Sequence, residues 1–194
     1  MTAPLAAVVL AAGAGRRMGG PKAELVVDGV RLVDRAATTA RAAGCDPVIV
    51  VLGAGVDPHG PPAVEAASAV VVNADWAVGM STSLLAGIEA ARRAGAPGVV
   101  VLLVDQPDVT TTAIRRLVHA HRAGASLVRA TYAGRAGHPV VIGAGHLASL
   151  AADLAANPGD EGARGYLRAR AAEVELVPCD DTGSDRDLDA PEDL

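Results

Sequence analysis

Leu10-Ala11-Ala12-Gly13-Ala14-Gly15-Arg16-Arg17-Met18-Gly19-Gly20-Pro21-Lys22 follows directly on the apolar run Leu5 to Leu10. The run reads as a buried strand, and it opens into a loop carrying four glycines and three cations. Glycine lacks a Cβ and populates backbone conformations closed to other residues, so consecutive N–H groups here can turn toward the oxygens of a polyanion. Arg17 and Lys22 then supply full positive charge. A strand ending in such a cradle belongs to an open α/β sheet, in which ligands bind beyond the carboxyl ends of the strands. The plainer alternative is a flexible surface loop with solvated cations.

Two common phosphate loops fail the spacing. The dinucleotide fingerprint needs Gly-x-Gly-x-x-Gly, but Gly13 and Gly15 are followed by Gly19, one residue late. The P-loop needs Gly-Lys-Ser/Thr after its four-residue interval, whereas Gly15 and Gly20 are followed by Pro21, which has no N–H to donate.

Outward from this loop, strand-like and helix-like segments alternate. Strands are expected at Leu5 to Leu10, Pro47 to Leu52, Ala69 to Val72, Val99 to Val104, Ser126 to Ala130, Pro139 to Ile142 and Val174 to Val177. Helices are expected at Arg31 to Ala43, Ser81 to Ala94, Thr111 to Ala123 with Thr110 as N-cap, and near Gly145 to Ala155 and Gly162 to Ala171. Apolar strands separated by helices mean a mostly parallel sheet covered on both faces, a three-layer α/β fold. Helical spacing places His121 at the edge of an apolar stripe, as a packing residue. The Gly/Pro-rich piece Gly53 to Pro62, with His59, reads as a surface loop placed to reach over the site.

Composition narrows the function classes. A chain of 194 residues is the size of one domain and buries roughly 70% of the surface its unfolded form exposes. Hydrophobic residues make up 51% of it, Phe is absent, and Ala and Val dominate, so the core is built of small and β-branched side chains. A net charge of −5 and the lack of any cationic run or aromatic platform argue against a nucleic-acid polymer as partner. No apolar stretch reaches membrane-spanning length. The start Met1-Thr2-Ala3-Pro4 lacks the cationic region of an export signal, and Cys45 and Cys179 form no C-x-x-C pair. A cytoplasmic enzyme with reduced thiols is expected.

Four further segments carry candidate chemistry. The apolar strand Val99 to Val104 ends abruptly in Asp105-Gln106-Pro107. A carboxylate there is costly unless it meets a cation or several donors, and Mg²⁺ bridging to nucleotide phosphates satisfies it. Asn73-Ala74-Asp75-Trp76-Ala77-Val78-Gly79-Met80-Ser81-Thr82-Ser83 joins a strand to a helix. Its amides, Asn73 and the hydroxyls of Ser81 and Ser83 suit a nucleotide, although capping alone explains Ser81. Gly137-His138-Pro139 opens a strand, and Gly159-Asp160-Glu161-Gly162-Ala163-Arg164 opens a helix. The stretch Asp185-Arg186-Asp187-Leu188-Asp189-Ala190-Pro191-Glu192-Asp193-Leu194 reads, by composition, as a solvated acidic tail.

These segments together resemble the molybdenum-cofactor cytidylyltransferases, within the wider MobA-like nucleotidyltransferases. The opening loop matches their Leu-Ala-Ala-Gly-x-Ser/Gly-x-Arg-Met-Gly-x-Pro-Lys signature at every fixed position, and the other elements follow in the family's order from Leu5 to Leu194. The resemblance implies a Rossmann-like (GT-A-like) nucleotidyltransferase fold in which Leu10, Ala11, Ala12, Gly13, Gly15, Arg17, Lys22, Asn73, Gly79, Ser81 and Ser83 surround the nucleotide. It implies Mg²⁺ on Asp105 and on Asp189 or Asp187, and an acceptor held by His138, Asp160 and Arg164. Ala190 stands where the family's tail has Thr, and the family's aromatic residue after His-Pro is missing.

The implied reaction moves CMP from CTP to the phosphate of molybdopterin-bound molybdenum, with Arg17, Lys22 and Asp105 as catalytic groups and a molybdoenzyme as recipient. Ala11-Ala12 points to cytosine, since guanylyltransferase relatives tend to carry Leu-Ala-Gly-Gly. Two other readings stay open: a sugar- or polyol-phosphate nucleotidyltransferase, and a nucleotide-binding chaperone that delivers the cofactor.

Overall fold

The computed structural model describes residues 3–193; Met1, Thr2 and Leu194, and with them the first two positions of the export-signal reading and the last of the acidic tail, lie outside the described residues. In chain order the elements are β1 (Ala6–Ala11), β2 (Val26–Val27), β3 (Val30–Arg31), α1 (Leu32–Ala42), β4 (Val48–Leu52), β5 (Ala69–Val72), α2 (Met80–Arg93) and β6 (Gly98–Leu103). There follow α3 (Thr111–Arg122), β7 (Leu127–Tyr132), β8 (Arg135–Gly143), α4 (Ala144–Ala156), α5 (Arg164–Ala169) and β9 (Val174–Pro178). Seven strands form one sheet in the order β5-β4-β1-β6-β8-β7-β9, and β2 and β3 make a separate hairpin.

The alternation of side chains along β1 divides the core into two layers. Ala7, Val9 and Ala11 face α1, α3 and the chain's last segment, whereas Ala6, Val8 and Leu10 face α2, α4 and α5. Small side chains bring the helices close: a Cβ on Gly87 of α2 would collide with Val8 Cγ1. The hydroxyl of Thr110 caps α3 by accepting from the Ala113 N–H at 3.2 Å, as its position before the apolar stripe implies. Both cysteines are buried free thiols, and burial pushes the Cys45 thiol up to about 11. His121 is partly buried and its Nδ1 lies 2.7 Å from the Ala125 carbonyl oxygen. Among the described residues no helix is long and apolar enough to cross a membrane.

The sheet departs from wholly parallel at β8, which runs antiparallel to both β6 and β7. The cause is a two-residue turn at Ala133-Gly134, both with positive φ (49° and 73°). Such a turn matches the twist of an antiparallel pair and requires left-handed backbone at both central positions. Asp180 accepts a hydrogen bond from the Ala133 N–H and fixes the strained residue. With this turn in place β7 extends to Tyr132 and β8 begins at Arg135, so both strands outrun the apolar stretches expected from sequence.

This topology assembles the site edge. Parallel register pairs Leu10 of β1 with Leu103 of β6, so the glycine loop and Asp105 leave the sheet side by side. Antiparallel register pairs Val101 with Val140 and brings the start of β8, with Gly137 and His138, to the same edge.

Candidate active site

The glycine loop folds back on itself. Gly15 adopts left-handed φ (54°), its carbonyl oxygen accepts from the Met18 N–H at 2.8 Å and the Gly20 N–H at 3.3 Å, and a Cβ there would strike the Gly20 carbonyl. Any larger residue at position 15 would break the loop. A cleft of about 470 Å³ opens over it, floored by Leu10, Ala12 and Gly13 and walled by Arg16, Lys22 and Asp105. Ala11 is buried in the strand end beneath. Arg17 is exposed and outside the cleft lining, and Arg16 occupies the wall instead. The Gly53 to Pro62 loop contributes no residue to this lining; Gly55 lies against the Pro21 ring.

Lys22 joins the two ends of the chain. Its Nζ donates to Asp105 Oδ2 at 2.7 Å and to Asp189 Oδ1 at 2.6 Å. Burial disfavours its charge, but hydrogen bonds and charge from both carboxylates outweigh this and raise its pKa. The tail is held in place rather than solvated: Leu188 is 1% exposed in the core, and its N–H donates to the Asp105 carbonyl at 2.9 Å. Asp193 Oδ2 accepts from the N–H groups of Asp189 and Ala190. The two tail candidates separate here. Asp189 reaches Lys22, whereas Asp187 Oδ1 accepts from Gln106 Nε2 at 2.9 Å. Burial raises the pKa of Asp187 against that hydrogen bond, helped by the like charges of Asp105 and Asp189.

The segment after β5 is spent largely on itself. The Asn73 side chain donates to Thr82 Oγ1 and Ser83 Oγ, both at 2.9 Å, and accepts from the Asp75 N–H at 3.0 Å. Ser81 donates to the Gly159 carbonyl oxygen at 2.8 Å and accepts from the Gly159 N–H at 2.6 Å. Neither side chain lines the cleft; both fix its wall, which Gly79, Ser83 and Asp160 line together with Trp76 and Met80. Trp76 is the chain's only tryptophan, and its position after a strand was the signal for it.

His138 and Arg164 lie apart from Asp105, in a side pocket that shares Leu10, Met80 and Leu103 with the cleft. Burial, with the nearby guanidiniums of Arg129 and Arg164, lowers the His138 pKa from 6.5 to about 4. An unfolded chain takes up a proton between these values that the folded one refuses, so stability falls as pH is lowered through that window. The loss attributable to His138 is about 2–3 kcal/mol at pH 4. Urea unfolding of wild type and His138→Gln at several pH values checks this: the variant shows a flatter dependence between pH 6.5 and 4, and an equal slope in both rules it out.

Residues 7–174, from β1 to the start of β9, match the MobA-like NTP transferase domain. The chain belongs to that family. This MobA-like nucleotidyltransferase is 40% identical to the nicotine blue oxidoreductase of Paenarthrobacter nicotinovorans, over 96% of its own length and 93% of the relative's. It is 36% identical to a probable molybdenum cofactor guanylyltransferase of Opitutus terrae, over 64% of this chain and 59% of that one. The crystal structure of Rv0371c from Mycobacterium tuberculosis superposes with a TM-score of 0.76 at 26% identity, covering 98% of this chain and 96% of that one. A manganese complex of the same mycobacterial protein gives 0.68 at 25% identity, over 91% and 88%.

Proposed function

We propose that this MobA-like transferase moves the cytidylyl group of CTP to the phosphate of molybdopterin-bound molybdenum and releases pyrophosphate. One observation carries the reading: Lys22, at the end of an anion-cradling loop, meets two carboxylates from distant parts of the chain at the mouth of a nucleotide-sized cleft. The ammonium stands where a cation is required, and the donors facing it are hard carboxylate oxygens. Among the described residues no three His, Cys, Asp or Glu side chains form a complete metal cage. Two hard carboxylates suit Mg²⁺, which is held by one or two such groups and completed by substrate phosphates and water. Asp105 and Asp189 would hold it, where it neutralises charge on the triphosphate.

The protein's own groups do the rest by placement. N–H groups of the glycine loop would face the β- and γ-phosphates, and Arg16 and Lys22 on the cleft wall would stabilise charge on the departing pyrophosphate. An oxygen of the acceptor phosphate attacks the α-phosphorus in line, and the bond to the β-phosphate's bridging oxygen breaks. The acceptor phosphate has a second pKa of about 6, so it is largely ionised at neutral pH and needs no strong base. His138, Asp160 and Arg164 stand on the acceptor's side. Ala12 on the cleft floor supports cytosine by the resemblance, whereas the Opitutus relative's name supports guanine and points to the molybdenum cofactor.

Purified protein is assayed for pyrophosphate release with Mg²⁺, each of the four nucleoside triphosphates, and molybdopterin or a sugar phosphate as acceptor. Release with CTP and molybdopterin supports the proposal, release only with GTP corrects the base, and turnover only with a sugar phosphate replaces the acceptor. Binding without release identifies a delivery chaperone. A second reading, reduction of nicotine blue, is favoured by the 40% identity to the enzyme of that name. The glycine spacing departs from the dinucleotide fingerprint, and consumption of the pigment with NADH or NADPH, without pyrophosphate, would establish it.

A further inference from the structure

Asn73, Ser81 and Ser83, polar side chains buried in this fold, hold the cleft wall. Gln106 is buried as well, at 7% exposure, and stands next to Asp105 without lining the cleft. Its Oε1 is buried and has no hydrogen-bond partner among the described residues. An unpaired buried acceptor is costly, so an apolar side chain of the same length would suit that end of the group better. What the amide adds is its donor end. A primary amide carries two N–H groups, and Gln106 Nε2 spends them on one segment of the chain. It donates to the Asp185 carbonyl oxygen at 3.2 Å and to Asp187 Oδ1 at 2.9 Å. The reversed amide would set Oε1 against those two acceptor oxygens, so the orientation is fixed.

These bonds act on the register of the chain's last segment. Carboxylates stand at positions 185, 187 and 189, so a slip of two residues would again bring an acid toward Lys22. The backbone beside Gln106 resists it. The Leu188 N–H donates to the Asp105 carbonyl oxygen at 2.9 Å, and the slip would put Arg186 where Leu188 is buried in the core. Gln106 adds a second restraint by holding Asp187 itself. Asp105 and Gln106, consecutive in sequence, therefore grip residues 185–188 together, and the next residue, Asp189, places its Oδ1 2.6 Å from Lys22 Nζ.

We propose that Gln106 is a positioning residue: its amide clamps the tail in the register that delivers Asp189, rather than Asp187, to the cation-binding edge of the cleft. It acts through the tail alone. The catalytic consequence rests on the nucleotidyl-transfer reading; the clamp is a property of the free protein.

The test is hydrogen exchange, read by mass spectrometry over residues 180–193 of the free protein, in wild type, Gln106→Met, Asp187→Ala and Asp187→Asn. Gln106→Met removes both bonds, and exchange of the segment is expected to quicken about tenfold while peptides from β1 and β6 exchange as in wild type. Asp187→Ala removes one bond and quickens exchange by a smaller factor, whereas Asp187→Asn keeps an acceptor and stays near wild type. In turnover, fewer Gln106→Met molecules hold Asp189 in place. The apparent KM for Mg²⁺ therefore rises, by up to the factor seen in exchange, and kcat falls by a smaller one. A merely structural Gln106 would lower the urea midpoint and leave tail exchange unchanged relative to β1 and β6. Tail exchange as in wild type in Gln106→Met, or faster exchange with an unchanged Mg²⁺ dependence, overturns the proposal. Should Gln106→Met fail to fold, equal exchange in Asp187→Ala and Asp187→Asn overturns it instead. A loosened tail in a protein that releases no pyrophosphate with any triphosphate overturns the transfer reading and leaves the clamp standing.

Discussion

Asp105→Asn is expected to lower turnover by roughly 10²–10³-fold while leaving the urea midpoint almost unchanged, because in the proposed reaction its charge, not its shape, is needed. The amide has the carboxylate's size and still accepts a hydrogen bond from Lys22 Nζ, which lies 2.7 Å from Asp105 Oδ2. The side chain is 22% exposed and its ion pair is bordered by solvent, so losing it costs at most about 1 kcal/mol of stability. What disappears is one of two anionic oxygens facing the cation. Asp189→Asn should act in the same direction. Asp187→Asn should act less, since that carboxyl spends one oxygen on Gln106 and burial already opposes its charge. Pyrophosphate release measured over a Mg²⁺ titration checks the ranking. Wild-type rates in Asp105→Asn, or a larger loss in Asp187→Asn, would remove Asp105 from its assigned place.

The layered sheet was legible because apolar runs and helical stripes alternate along the chain, and Asp105 stood out because a carboxylate directly after the apolar run Val99 to Val104 has no cheap structural explanation. What the sequence hid was mainly reach across the fold. Whether Asp187 or Asp189 faces Lys22 depends on how Leu188 buries and how Asp193 closes the final turn, a tertiary contact that no local pattern encodes. Asn73 and Ser81 read as ligand-facing from their place between a strand and a helix, although capping alone explained Ser81; Asn73 bonds Ser83 on α2, and Ser81 bonds Gly159, which arrives from a distant loop. The antiparallel β8 was missed because the apolar stretch at Pro139 to Ile142 looks the same in either direction. Its signal was the Gly134 turn, just as Asp28-Gly29, both with positive φ, announced the β2–β3 hairpin.

Lys22→Ala should separate two properties that fall together in Asp105→Asn: turnover drops by roughly 10²–10³-fold, yet divalent-cation binding without nucleotide becomes tighter. In the free protein the ammonium occupies oxygens of both Asp105 and Asp189, at 2.7 and 2.6 Å, and its raised pKa keeps it charged throughout the physiological range. A divalent ion must therefore compete with a resident cation for the same two carboxylates. Removing the lysine leaves two neighbouring negative charges uncompensated and lifts that competition. When nucleotide is bound, the triphosphate offers the ammonium another set of anionic oxygens, so wild type can release its carboxylates at the moment they are needed; the alanine variant has nothing to place on the phosphates. Titration with Mn²⁺, followed by electron paramagnetic resonance, should show a lower dissociation constant in Lys22→Ala than in wild type, alongside the lost pyrophosphate release. If cation binding weakens together with turnover, Lys22 supports the carboxylates rather than competing for them. If turnover persists, the lysine has no part in stabilising the phosphates, and the glycine loop's amides and arginines carry that charge alone.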